Sequence, residues 1–304
     1  MEIQIGIGNQ NIEISHAEKI LFPKIGLSKG DVAIYYQKIS RWLLHHIHDR
    51  ALTLERYPEG IEEKGFFQQE AADHFDETIQ RKSIPRKNGT ALDRVVCTQG
   101  PGLVNLANLG VVTLHMWLSR FDKPAYPDRM LFDFDPSGDN FSLVRFGAMR
   151  LREILEQLDL QPFVMTTGSR GCHVVVPLDG VSDFETVRRF ATDVVSILAC
   201  RYDQQLTVEQ RRNKRKGRLY LDVLRNGYGQ TGVAPYSLRP VEEAAVATPL
   251  DWEEFSELQD DARKYTINNI FRRLGQKGDP WRKIRLHARS LKGPQKKLEY
   301  MLRE

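Results

Sequence analysis

Apolar positions along this chain change their spacing from segment to segment, and the spacing predicts the elements. Ile3, Ile5 and Ile7, then Ile12 and Ile14, alternate with polar residues around Gly8-Asn9-Gln10, the pattern of a small hairpin. Ser28 precedes Ile34, Tyr35, Ile39, Trp42 and Leu43 at helical intervals, predicting a helix over roughly 29–48. Segment 51–70 reads as strand, turn at Pro58-Glu59-Gly60, and strand, while the polar stretch 82–92 reads as turns. A helix is expected over 102–110 and a strand at VVTLHMW, 111–117. From 129 onward the order is strand (RMLFDFDP), helix (143–159), two strands (FVMTTGS and CHVVVPL) joined by a tight glycine-containing turn, helix (183–200) and strand (GRLYLDVL). TGVAPYSLRP then reads as extended, and the tail from 251 as mostly helical. Strand–helix–strand–strand–helix–strand is the order of a split βαβ, ferredoxin-like unit, so the fold class is mixed α/β (α+β). Many functions use that fold, and function has to be read from the residues placed on it.

Composition narrows the classes. The chain has 304 residues, 44 Lys+Arg against 40 Asp+Glu, 41% hydrophobic and 28% charged. A chain of this size buries roughly 75% of its unfolded surface and needs no disulfide or metal to fold. The 22 Gly and 14 Pro are near average usage, which excludes a collagen-like or largely disordered chain. No apolar run reaches the roughly 18–20 residues that span a bilayer, and MEIQIGIGNQNIEIS lacks a basic n-region, so a cytoplasmic location without membrane contact is expected. Cys97, Cys172 and Cys200 are far apart and lack CxxC spacing, which excludes a disulfide framework and a zinc ribbon. Net charge is only +4, but six cations fall within Arg211–Arg218, and 281–297 is also basic. Taken alone such runs suit a solvated face as well as a phosphate contact.

Two motifs carry chemistry. Strand alternation puts Asp133 and Asp135 on one face, with Phe134 on the other. Paired carboxylates repel each other; at a strand end they are either solvated or capping the next helix, or a hard divalent cation such as Mg²⁺ or Mn²⁺ resolves the repulsion. Asp222 lies in a second apolar strand, LYLDVL, where an isolated carboxylate is costly. If the two strands are neighbours, three carboxylates meet and can hold two metals about 3.5–4 Å apart, the arrangement that serves nucleotidyl transfer. In GSRGCHVVVPL, Ser169, Arg170 and His173 bracket two glycines at a strand–turn–strand junction, suited to phosphate oxygens.

These residues carry a resemblance. DFDP (133–136), TTGSRGCHVVVPL (166–178) and YLDVLRNGYGQTGVAPYSLRP (220–240) resemble motifs I, II and III of the archaeo-eukaryotic primase superfamily, in the branch of the polymerase/primase domain of bacterial DNA ligase D and its stand-alone relatives. ISHAEKILFPKIGLSKGDVAIYY, LERYPEGIEEKGFFQQ and TLHMW extend the resemblance through the amino-terminal half. It implies a single primase-polymerase domain over 1–304: a DNA-end-binding part (1–125), a catalytic core (126–250) and a basic helical tail (251–304), with no room for ligase or nuclease modules.

The resemblance also implies roles. Asp133, Asp135 and Asp222 match the ligands of two Mn²⁺ or Mg²⁺ ions, Asp222 also placing the attacking 3′-hydroxyl. Ser169, Arg170, His173 and Arg239 match contacts to the incoming triphosphate, with Arg56 and Lys64 as further candidates. Arg170 stands where the family often has Lys, which keeps the charge and changes the donor geometry. Arg215 matches a contact to the template backbone, and Lys19 and Lys29 match two lysines that hold a 5′-phosphate. Of Phe66 and Phe67, one is expected to stack on a template base and the other to pack in the core. His115 matches a histidine near the template, with a buried, satisfied histidine as the alternative. The implied activity is template-dependent extension of primers, or filling of gaps at double-strand breaks in non-homologous end joining, preferring ribonucleotides. Its implied partners are primer–template or gapped DNA with a 5′-phosphate, NTPs or dNTPs, and a separate DNA ligase and Ku. A replicative or plasmid-type primase, a non-enzymatic RNA-binding module on a ferredoxin-like sheet, and a DxD glycosyltransferase remain as rivals. The RNA-binding sheet would need exposed aromatics where Asp133, Asp135 and Asp222 stand.

Overall fold

Ser28 shows how local sequence sets the first long element. Its hydroxyl accepts the Asp31 N–H at 3.2 Å while the Asp31 carboxylate accepts the Ser28 N–H at 2.8 Å, a capping box that starts the helix at Lys29. The computed structural model describes residues 1–86, 89–136, 138, 140–259 and 261–303. Contacts divide the chain into two units: Met1–Trp117 with Thr231–Thr248 and Lys264–Gly278, and Leu118–Gln230 with Pro249–Arg263 and Asp279–Glu304. Segments 231–248 and 264–278 thus pack with the amino-terminal residues, across the boundaries at 125 and 250 expected from sequence.

The first unit opens with the hairpin β1 (Ile3–Ile7) and β2 (Gln10–Ile14), then the short pair β3 (Ile20–Phe22) and β4 (Leu27–Ser28). Helix α1 (Lys29–Ile47) buries Val32, Tyr35, Tyr36, Ile39, Leu43 and Ile47 along one stripe. Ile34 and Trp42, expected on the same face, lie at its half-buried margins. Strands β5 (Leu52–Arg56), β6 (Phe66–Gln68), β7 (Gln80–Pro85) and β8 (Ala91–Val96) precede helix α2 (Gly100–Asn108) and β9 (Val111–Trp117). The polar stretch read as turns is therefore mostly strand, β7 and β8 pairing from Gln80↔Val96 to Pro85↔Ala91; residues 87 and 88 lie outside the described residues. The exposed charged residues of β7 and β8 (Arg81, Lys82, Asp93) sit on an edge hairpin, where polar side chains discourage further strand pairing and hide the alternation.

The second unit runs β10 (Arg129–Asp135), α3 (Phe141–Gln157), β11 (Phe163–Thr166), β12 (Cys172–Pro177), α4 (Phe184–Arg201), β13 (Leu206–Thr207) and β14 (Leu219–Asp222). Strand β15 (Thr231–Val233) returns to the first unit's sheet, ordered β15-β9-β5-β8-β7 with β6 also on β5. Strand β16 (Thr248–Leu250) ends the second sheet, ordered β13-β14-β10-β12-β11-β16. Helices α5 (Trp252–Ser256), α6 (Ile270–Lys277) and α7 (Lys292–Met301) complete the chain, so the tail is largely helical as expected.

The four antiparallel strands β14-β10-β12-β11 have the order of the expected ferredoxin-like unit, and α3 and α4 both pack against β10. From Arg129 to Phe132, β10 is buried on both faces, which is why it reads as a continuous apolar run. Among the described residues no helix is long and apolar enough to cross a membrane.

Candidate active site

In the second unit, strand register does the positioning. Asp133 lies directly opposite Asp222 on β14 and opposite His173 on β12, and Asp135 is opposite Tyr220. The expected neighbourhood of the two acidic strands is therefore present. On the other side of β10, Gly171 lets the β11–β12 turn come close: a Cβ there would stand 1.8 Å from the Phe134 carbonyl oxygen, so only glycine fits. Gly168 takes a left-handed φ of 66° in the same turn, which closes with the Thr167 N–H and hydroxyl donating to the Gly171 carbonyl at 3.0 and 3.1 Å.

Two guanidinium groups and an imidazole surround the acids. Arg170 Nη2 lies 3.3 and 3.4 Å from the Asp135 carboxylate oxygens, Arg225 Nε 3.6 Å from Asp133, and His173 Nε2 3.5 Å from Asp133. Asp222 accepts the Leu224 N–H at 2.7 Å and the Tyr220 hydroxyl at 3.5 Å. Burial pushes the Asp135 carboxyl above its ordinary range against the pull of Arg170, and Asp133 adds to the rise. Burial likewise raises Asp222, with Asp133 again contributing, and it holds the Tyr220 phenol up at about 12. Arg215 lies over the Tyr220 ring at 4.2 Å, its guanidinium donating to the Glu209 and Gln210 carbonyls. The Ser169 carbonyl accepts from Arg263 Nε at 3.0 Å.

Among the described residues, no three His, Cys, Asp or Glu side chains already form a cage for an ion. The donor set nevertheless fits a hard divalent cation. It is all carboxylate oxygen, and two of its members are held up in proton affinity by burial and by the third.

The first unit gathers a different set. Lys29 is 7% exposed, its ammonium donating to Ser15 Oγ and the Asn108 carbonyl, each at 3.1 Å. Its backbone N–H donates to the Lys19 carbonyl at 2.8 Å, and Lys19 Nζ pairs with Glu59 at 2.7 Å. The two lysines are thus close; burial lowers the Lys29 amine, and the Lys19 charge lowers it further. Arg56 donates to the Leu109 carbonyl at 2.9 Å and to Gln68 at 2.7 Å, and lies 5.2 Å from the Phe66 ring centroid. Phe66 and Phe67 are 46% and 63% exposed, so neither packs in the core as one was expected to. On a three-residue strand that pairs only with β5, both rings stand in solvent. Lys64 is exposed beside them and has no partner among the described residues.

His115 is neither isolated nor simply buried. Its Nε2 lies 3.2 Å from Glu55 Oε2, and its ring meets Phe67 edge-on at 5.7 Å. Glu55 also accepts the Tyr57 hydroxyl at 2.8 Å. Its burial alone would raise the carboxyl, but the bonds from His115 and Tyr57 and the charges of His115 and Arg239 hold it below the ordinary range. Arg239 is half-buried, its N–H donating to the Ala245 carbonyl at 2.8 Å.

Four residues of these sites escape a reading of the sequence. Glu55 and Tyr57 sit inside LTLERYP, where an acid at a strand end looks solvated. Arg225 follows Asp222 by three residues, a spacing that was visible in the motif, whereas Arg263 reaches Ser169 from 94 residues away with no local signal.

Comparison with known proteins gives four findings. The family model described as LigD, primase-polymerase domain, matches residues 28–281. Multifunctional non-homologous end joining protein LigD of Mycolicibacterium smegmatis is 30% identical over 284 residues, covering 89% of this chain and 35% of that protein. Bifunctional non-homologous end joining protein LigD of Bacillus subtilis is 27% identical over 272 residues, covering 89% and 43%. The chain therefore spans under half the length of these curated relatives. The polymerase domain from Mycobacterium tuberculosis ligase D, solved in complex with DNA, shares the fold with a TM-score of 0.85 at 25% identity, over 92% of this chain and 100% of that one.

Proposed function

The chain belongs to the LigD primase-polymerase domain family, a family of nucleotidyltransferases, and on that premise we propose that it extends a DNA primer opposite a template strand. The observation that carries this reading is the register Asp133↔Asp222 with Asp135 one pleat along the same face. Rigid strands hold three carboxylates together against their own repulsion, an arrangement that a structural role does not require.

Asp133, Asp135 and Asp222 would hold two Mn²⁺ or Mg²⁺ ions. When bound, such ions ease deprotonation of the primer 3′-hydroxyl and stabilise charge on the departing pyrophosphate. Asp222 positions the primer 3′-oxygen. Ser169, Arg170 and His173 of the second unit orient the triphosphate, and Arg239, Arg56 and Lys64 of the first unit are further candidates for phosphate contacts. Arg170 and Arg225 now lie against Asp135 and Asp133, so substrate phosphates and carboxylates compete for the same guanidinium groups. Arg215 steadies the template backbone. In the DNA-end-binding part, Lys19 and Lys29 hold a 5′-phosphate, Phe66 and Phe67 offer ring faces to template bases, and Glu55 orients His115 beside them. The natural reaction is gap filling at double-strand breaks in non-homologous end joining, with ribonucleotides preferred and a separate ligase and Ku acting on the same ends.

Incubating the chain with labelled primer–template, NTPs and Mn²⁺ tests the reading. Stepwise, template-matched extension is the expected result. A chain that binds the substrate and adds nothing with either metal and either NTPs or dNTPs would remove the enzyme and leave a binding module.

A further inference from the structure

Residues 282–303 hold eight Lys and Arg side chains against one carboxylate, Glu299. With 44 cations and 40 carboxylates in all, the other 282 residues carry 36 and 39. The net positive charge of the chain therefore resides in this segment. All eight cations are exposed, and among the described residues Arg282, Lys283, Lys292, Lys296 and Arg303 have no ion-pair partner. Their backbone is nonetheless fixed. Trp281 is fully buried and donates from Nε1 to the Val164 carbonyl at 3.2 Å, and Ile284, Leu291 and Leu298 are buried after it. The Arg289 N–H donates to the Pro177 carbonyl at 3.3 Å, and its carbonyl accepts the Asp179 N–H at 3.2 Å.

This anchorage places the segment away from the acids. Arg289 bridges to Leu178, just past the end of β12, whereas His173 faces Asp133 at the other end. Five residues of strand separate them, about 17 Å. Lys292 opens α7 with no acid in the first turn, a cation set against the helix dipole. Like charges held on fixed backbone repel, and a polyanion relieves that repulsion. Half of the eight are lysines, which are depleted from the cores of protein interfaces and suit phosphates as point charges.

We propose that residues 282–303 form a second contact surface that holds the phosphate backbone of duplex DNA away from the reacting end, without reading its sequence. The proposal rests on the reading of the substrate as a DNA duplex with a primer end.

The test uses the full chain carrying Arg282→Gln, Lys283→Gln, Lys292→Gln and Lys296→Gln together. A second variant keeps the charges as Arg282→Lys, Lys283→Arg, Lys292→Arg and Lys296→Arg. Binding to blunt duplex DNA is measured against salt, and single-turnover extension at saturating primer–template. The neutral variant should lose about 3–4 units of the log–log salt slope and about tenfold or more in affinity, with the extension rate unchanged. The charge-preserving variant should match the wild type. An unchanged slope and affinity in the neutral variant would overturn the proposal, including the case where that variant loses only an acidic protein ligand. Charge-dependent duplex binding by a chain that extends no primer would leave the surface standing and sink the polymerase reading. Extension with charge-independent binding would do the reverse.

Discussion

Two acid sites in this molecule end in opposite states. In the first unit, Glu55 is 10% exposed, yet its carboxyl sits below the ordinary range, because His115, Tyr57 and Arg239 supply more than burial takes away. In the second, Asp135 and Asp222 sit above it, because burial outweighs their hydrogen bonds and arginines and Asp133 adds a like charge. An acid that its own neighbours satisfy holds a partner in place. Acids left short of positive charge are suited to receive it from outside. The contrast supports the proposed roles of Glu55 as a positioning residue and of the three aspartates as a cation site.

The largest effect should come from emptying the unsatisfied site. Asp133→Ala or Asp222→Ala is expected to reduce primer extension by about 10³-fold or more, several kcal/mol of transition-state stabilisation, while DNA affinity stays near wild type. Near-normal extension by either variant would break the comparison at its root.

That site was legible in the sequence because strands have period two. DFD fixes one face, and an acid in LYLDVL marks the neighbouring strand. The βαββαβ order was legible for the same reason. The first unit was harder to read. Charged residues default to the surface, and nothing in EISHAEK or LSKGD signals that Lys29 would be buried on Ser15 and Asn108. Phe66 and Phe67 looked half like core, but on a three-residue strand they meet polar neighbours, Arg56 and His115, and stay exposed. Glu55 gains its meaning from His115 on the next strand, a pairing set by Thr53↔His115 register that no local pattern reports.

Smaller losses should separate nucleotide from DNA. His173→Ala and Arg239→Ala each remove one group proposed to face the triphosphate. A charge-assisted contact of about 1.5–3 kcal/mol corresponds to about 10–100-fold in kcat/KM for nucleotide. Steady-state kinetics against NTP should show it with primer–template affinity unmoved; the opposite pattern would exchange the two roles.

For the lysine pair the expected effect is about tenfold. A terminal 5′-phosphate carries close to two charges, more than an internal phosphodiester. Wild type should prefer gapped DNA bearing that phosphate by about tenfold, a preference that weakens as salt rises. Lys19 is the more accessible of the two, its side chain 34% exposed, so Lys19→Ala should remove most of the preference. Competition binding with phosphorylated and unphosphorylated gaps measures this. Equal binding by the wild type would leave the first unit without an end-recognition role.

The smallest effect probes the acids themselves, through stability in chelator. A carboxyl raised in the folded state contributes fully below its ordinary value of 3.8, and that contribution is lost as pH rises through the folded value. Asp135→Asn and Asp222→Asn should therefore melt above wild type at neutral pH, with the gain vanishing as pH falls below that ordinary value. Glu55 has the opposite sign. Its lowered carboxyl stabilises the fold above the ordinary value of 4.5 and loses that contribution as pH falls through the depressed value. Glu55→Gln should then melt below wild type at neutral pH, the deficit closing in acid. Both Asp135 and Glu55 interact with arginine, yet the predicted shifts in Tm are of opposite sign, which no general loss of charge produces. Melting curves from neutral pH into acid decide it. Two deficits of the same sign would show that the aspartates are satisfied by Arg170 and Arg225 as completely as Glu55 is by its neighbours, and the case for a cation site would rest on register alone.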